Sequence, residues 1–216
     1  MHIPPGFLKP SIWLPMGAFS AACVGYAMKK TGHGIDERST PVMGVMAAFI
    51  FAAQMINFPV FGGTSGHLIG ASLAVAVLGM WPAMVVMTAV VIMQALLFQD
   101  GGLEALGANV FNLGILGCIV SGPLIAFGKR FGKMGTYISL AFAGWLSVVL
   151  ASFFCAVELA LSGTSPLQVV LPAMLIIHAV IGAFEGVIGV IAFRFICAVN
   201  PGISMTNGEV KSCGAS

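Results

Sequence analysis

Apolar positions run in long stretches rather than in alternation, over about 11–28, 41–57, 67–80, 82–98, 108–128, 134–161 and 166–198, each closed by Pro, Gly or charged clusters. Stretches of this kind predict membrane-spanning helices; the strands of a barrel would show shorter, alternating segments. The expected fold class is therefore all-α and polytopic, with seven transmembrane helices. The third stretch is the weakest. From His67 to Met80 it offers roughly 14 residues, about 21 Å at 1.5 Å per residue, against a hydrocarbon core of roughly 30 Å. It should start below the membrane surface.

Seven spans put the two termini on opposite faces, and the polar positions support that count. With the amino terminus outside, the inner face receives Lys29, Lys30 and Arg38, then Lys129, Arg130 and Lys133, then Arg194 and Lys211, and only Lys9 lies outside. Positive residues collect on the cytoplasmic side of a cell membrane, so the expected location is an inner or plasma membrane with the amino terminus outward. The connection from Asn57 to His67 falls on the same outer face. Its glycines and Pro59 make it irregular, and irregular backbone at that depth is tolerated only where protein buries it or it lines a cavity. A re-entrant loop over the mouth of the bundle is expected. Residues 1–200 read as a single seven-helix domain, and 201–216 as a short, polar, mobile cytoplasmic tail.

Composition agrees, with 59% hydrophobic and 7% charged residues, too little polar surface to solubilise a globule. The net charge of +2 carries little, and no basic stripe points to nucleic acid. A secretory leader would need a basic start and a small-residue cleavage site, whereas a polar, proline-bearing segment here enters a full-length span, so no cleavage is expected. His2 is bulky, which should leave Met1 in place with a free amine. Cys23, Cys118, Cys155, Cys197 and Cys213 form no Cys-x-x-Cys pair and read as buried small hydrophobes.

The candidate chemistry begins at residue 1. The amine of Met1, the amide nitrogen of His2 and a His2 imidazole nitrogen can close two fused chelate rings around one ion, with Pro4, Pro5 and Gly6 turning the chain directly afterwards. Such a planar set of nitrogens favours nickel(II) or copper(II), with cobalt(II) possible. A fourth donor is needed. His33 lies among cytoplasmic charges and His178 within the seventh span, whereas His67 shares the outer face with the amino terminus and is assigned as that donor. Asn57, Thr64, Ser65 or a main-chain carbonyl could hold the other ring nitrogen of His67. Neutral donors imply that capture weakens as pH falls.

These residues also carry a resemblance. Met1-His2-Ile3-Pro4-x-Gly6-Phe7-Leu8, Met55-Ile56-Asn57-Phe58-Pro59-Val60 followed by Gly62-Gly63-Thr64-Ser65-Gly66-His67-Leu68, and Gly107-Ala108-Asn109-Val110-Phe111-Asn112 resemble the NikM/CbiM family. Its members are substrate-capture (S) subunits of energy-coupling-factor importers for nickel and cobalt. The likeness extends from Met1 to about Arg194. It implies a six-helix core with one helix added in front, and a planar four-nitrogen site from Met1, His2 and His67. It further implies a transmembrane coupling (T) subunit, two ATPase subunits and a small accessory membrane subunit as partners. Phe61 stands where the resemblance leads one to expect proline or a small residue.

Gly44, Ala48 and Ala52 form a small-residue stripe on the second span, suited to close helix packing within the bundle. The resemblance offers the coupling subunit as an alternative occupant. Glu158 and Glu185 are costly in a membrane, and Glu185 is expected to face a partner, with His178 about two turns away as a candidate. Gln54, Gln94, Asn109 and Asn112 read as interhelical hydrogen bonders, Asn109 also as a candidate to line the site. The methionines read as filler rather than copper ligands. No phosphate-cradling Gly-x-x-x-x-Gly-Lys-Ser/Thr run and no His-Glu-x-x-His motif occurs, so neither ATP hydrolysis nor metalloprotease chemistry is expected of this chain and no catalytic cofactor is implied. The expected function is capture of nickel(II), or cobalt(II), for ATP-driven uptake. The alternatives are a cobalt-specific subunit serving cobalamin synthesis or a self-sufficient secondary metal transporter.

Overall fold

A computed structural model describes residues 1–32, 39–60 and 63–199, with the backbone of 204–206 and 209–211, which pair as two antiparallel strands. His33, Arg38, Phe61 and, apart from that backbone pair, the tail lie outside the described residues. Seven helices occur among them: α1 (Pro10–Gly32), α2 (Ser39–Gln54), α3 (Ala71–Leu78), α4 (Met80–Leu97), α5 (Leu106–Lys129), α6 (Gly132–Leu161) and α7 (Leu167–Val199). Of these, α1, α4, α5, α6 and α7 are long and apolar enough to cross a membrane, while α2 is a shorter apolar helix of 16 residues. The protein is an all-α polytopic membrane protein.

The third stretch falls further short than its length predicts. Only the eight residues of α3 are helical, a rise of about 12 Å, and all eight are buried. The stretch begins with irregular backbone from His67 to Gly70, which is left-handed at φ +82°, and Gly79, also at φ +82°, ends α3 and reverses the chain into α4. Thus α3 forms a central half-span packed against α5, α6 and α7.

Burial shows which solvent the outer surface expects. On α7, Ile176, Val180, Phe184, Val187, Ile191 and Phe195 are exposed, whereas Met174, His178, Gly182, Glu185 and Gly189 are buried. An apolar exterior and polar interior is the arrangement a bilayer stabilises. Helices α6 and α7 approach closely because a Cβ on Gly182 would lie 3.0 Å from the Trp145 carbonyl oxygen, and one on Gly186 only 2.7 Å from that of Ala141.

Directions alternate along the chain. Lys9, Gln54, His67, Asp100 and Ser162 gather at one end of the bundle through the contacts described below, while Tyr26 and Trp81 meet near the other, ring centroids 5.2 Å apart. Lys29, Lys30, Lys129, Arg130 and Lys133 all lie at the end opposite Lys9. Cys197 departs from the reading of the cysteines as small hydrophobes, because it is disulfide-bonded.

Candidate metal-capture site

The first nine residues turn back into the bundle before α1 begins. Asn109 grips Ile3 from both sides, accepting its N–H at 2.8 Å and donating to its carbonyl at 3.2 Å, and Gly102 N–H donates to the same carbonyl at 2.9 Å. Further along, Gly6 N–H donates to Glu104, the Thr164 hydroxyl donates to the Phe7 carbonyl, and Lys9 N–H donates to Ser162 Oγ at 3.2 Å. Gly6 has φ +79°, the left-handed turn that lets the chain leave the pocket. Gly102 is also required, since a Cβ there would lie 2.7 Å from the Pro5 backbone.

This anchoring drives the amino terminus inside. Met1, His2 and His67 are 0%, 2% and 1% exposed, so the three share one water-poor pocket. The Met1 amine donates to Ser65 Oγ at 3.0 Å, and the rings of His2 and His67 lie with centroids 4.7 Å apart and planes within 21°. The loop bearing His67 is shaped by a two-residue antiparallel pair, Phe58–Pro59 with Ser65–Gly66.

His67 Nδ1 lies 2.7 Å from the Leu68 carbonyl, which can only accept. The neutral ring therefore carries its proton on Nδ1 and leaves Nε2 bare, and that buried Nε2 has no protein partner. His2 Nδ1 lies 3.1 Å from Asp100 Oδ1, within ion-pair range but off the line of a good hydrogen bond. Among the described residues no three His, Cys, Asp or Glu side chains cluster.

Electrostatics follow from this burial. Loss of water pushes the Met1 amine down from 8.0 to about 5. It also lowers His2, although Asp100 pulls the other way. His67 is held well below the ordinary imidazole value by burial, then by the nearby amine and His2. Burial would raise Asp100, but the adjacent His2 and the amine outweigh it and leave the carboxyl below its usual value. Near neutral pH these shifts favour a neutral amine and neutral imidazoles beside a carboxylate.

Of the partners expected for the second ring nitrogen of His67, the main-chain carbonyl is the one found, that of Leu68, while the expectations for Asn57, Thr64 and Ser65 need correcting. Asn57 is exposed and donates to Asp100 Oδ2 at 3.2 Å, Thr64 Oγ1 lies 3.9 Å from Cys155 Sγ, and Ser65 receives the amine. Asn109 holds the Ile3 backbone. Glu185 does not pair with His178; it accepts main-chain N–H groups of Ile69 and Gly70, while His178 Nδ1 donates to the Met174 carbonyl at 2.7 Å. Gly44, Ala48 and Ala52 are all exposed, and a Cβ on Gly44 would meet nothing within 4 Å, so packing within the bundle does not explain that stripe. Asp100 and Glu104 were overlooked, although both fall between α4 and α5 on the face that carries the amino terminus.

A bundle with an apolar exterior, and with the amino terminus, His2 and His67 buried together at one end, defines a polytopic membrane protein with a polar interior. The sequence profile described as the cobalt uptake substrate-specific transmembrane region, CbiM, matches residues 2–203, and the chain belongs to that family. A protein of Haloquadratum walsbyi assigned to metal transport is 35% identical over 97% of this chain and 95% of its own length. A protein of Archaeoglobus fulgidus assigned as a fused nickel transport protein, NikMN, is 37% identical over 94% of this chain and 68% of its own. A crystal structure of a transition metal transporter superposes with a TM-score of 0.87 at 34% identity, covering 92% of this chain and 93% of that one. The family places this chain among membrane components of nickel and cobalt transport rather than among enzymes.

Proposed function

We propose that this chain is the substrate-capture subunit of an energy-coupling-factor importer, taking nickel(II), or cobalt(II), from outside through Met1, His2 and His67. The observation that carries the reading is the burial of the amino terminus against His67, with the bare Nε2 of that ring in the same pocket. Fused chelate rings would put the Met1 amine, the His2 amide and the His2 imidazole at three consecutive corners of a square, leaving the fourth corner beside the His2 ring. Two imidazoles at neighbouring corners, each about 2 Å from the ion, hold their centroids roughly 4 to 5 Å apart, and the observed separation is 4.7 Å. The imidazole nitrogen that closes a ring with its own amide is Nδ1, which here faces Asp100, so loading turns the His2 ring about its Cβ–Cγ bond.

Nickel is favoured because four nitrogens in a plane suit its tetragonal preference. The distribution of Lys and Arg supports an outward amino terminus. Transport then requires a T subunit, two ATPase subunits and a small accessory membrane subunit, and the exposed Gly44, Ala48 and Ala52 suit close approach of a partner helix. Nickel titration of the purified chain with its native start should show one tight site per chain. That site should be lost in His2→Ala, weakened in His67→Ala, and lost when extra residues precede Met1. An extended variant that holds nickel as tightly as the native chain overturns the ligand assignment.

A further inference from the structure

The Leu68–Ile69 peptide unit, one residue beyond His67, is held at both of its polar ends. Its carbonyl, from Leu68, accepts the His67 Nδ1 proton at 2.7 Å. Its N–H, from Ile69, donates to Glu185 Oε2 at 2.5 Å. The next peptide is treated alike: Gln54 Nε2 donates to the Ile69 carbonyl at 2.6 Å, and Gly70 N–H donates to Glu185 Oε1 at 3.0 Å. Both oxygens of a carboxylate on α7, 3% exposed, are thus committed to two successive peptides, Leu68–Ile69 and Ile69–Gly70, just beyond one histidine. Gly70 sits at φ +82° with its Cβ position 3.1 Å from Ile50, which fits the backbone to this cradle.

A purely structural role would ask only that some group cap the buried start of α3, whereas here the chain of hydrogen bonds ends on a ring nitrogen. A carboxylate at one end of a peptide polarises that peptide, a polarised carbonyl accepts a stronger bond from Nδ1–H, and that bond both fixes the tautomer and makes Nε2 a better donor. We propose that Glu185 is the positioning residue of the metal site, acting on His67 through the Leu68–Ile69 peptide, with Gln54 holding the following peptide in register. This rests on His67 being a donor to the captured ion. Glu185 touches neither the ion nor a ligand side chain, and α7 is thereby linked to a site at the mouth of the bundle.

A double-mutant cycle on the full-length, metal-free chain in detergent tests this, with nickel(II) as the probe. Glu185→Gln should weaken nickel binding about 10- to 100-fold and move the visible absorption band of the bound ion to longer wavelength, as expected of a weaker fourth donor. In the His67→Ala background the same substitution should change affinity by less than about twofold, because the residue it acts through is gone. Retention of the full effect in that background, or wild-type affinity and spectrum in Glu185→Gln, overturns the proposal. Should that variant not fold, nitrogen NMR of histidine-labelled wild type decides instead. A proton on His67 Nδ1 supports the relay and a proton on Nε2 overturns it. Nickel affinity in His67→Ala equal to wild type would fail the ligand reading itself, an outcome distinct from failure of the cycle.

Discussion

A proton must leave the His2 amide whenever an ion binds there, but the Met1 amine and both imidazoles are held below their ordinary values by burial, so near neutral pH they have none to release. Protonation competes with the ion, which means affinity falls as pH falls. The logarithm of the nickel association constant should therefore rise by about one per pH unit between about pH 6.5 and 8. The slope should steepen as pH falls towards about 5, where the amine takes up a proton. An amine at its ordinary value of 8.0 would instead add to the slope from pH 8 downwards. Titration in buffers of different ionisation enthalpy counts the released protons and separates the two cases. At this scale the meeting of the amino terminus with His67 was legible, because both could be placed on one face from span count and charge. The role of Asp100 beside His2 was not, since a lone acidic residue in a connection carries no signal of which ring it will meet.

Helix α5 shows how an element can serve a site without supplying a ligand. Its turns from Val110 to Ile115 are π-helical, and Asn109 and Asn112 both face the interior, the first on Ile3 and the second donating to Glu158 at 2.7 Å. Nothing in an uninterrupted apolar pattern marks such a widened turn, because its local cost is offset by packing and hydrogen bonds from other elements. Near its start α5 touches α1 backbone to backbone: Ser20 Oγ donates to the Gly107 carbonyl at 2.7 Å, and a Cβ on Gly107 would lie 2.3 Å from Gly17 Cα. Gly107→Ala must push α1 outwards, and should cost about 2 to 3 kcal/mol of stability by thermal unfolding in detergent. Gly44→Ala, with open space around it, should leave stability unchanged or slightly raised. The length of the third stretch was read correctly as deficient, but its residues from His67 to Gly70 proved irregular rather than helical. Their main chain is held by Gln54 and Glu185, distant residues that local apolarity does not reveal. Glu185 itself was legible as a buried acid needing a partner. The partner was missed because helical spacing favoured His178, whereas the α3 entry loop lay closer.

Across the whole molecule, the alternation of helix directions and the separation of Lys and Arg were the most readable features, since a bilayer admits few alternatives to complete helices and penalises charge transfer across it. Lys9→Cys should accordingly react with a membrane-impermeant maleimide on intact cells, and Lys133→Cys only after permeabilisation, each compared with the unsubstituted chain. The reverse pattern would place the pocket on the wrong side for uptake. The end of the bundle that carries the amino terminus is closed in this structure by that segment itself, with Met1 fully buried, so an ion reaching His67 along this route would require the segment to move. X-ray absorption at the nickel edge of the loaded, native-start chain addresses the central claim most directly, because it reports donor type and geometry together. The account predicts four nitrogen donors in a plane, with the planar signature lost in His2→Ala. A six-coordinate ion with oxygen donors, or a spectrum unchanged by His2→Ala, would contradict it.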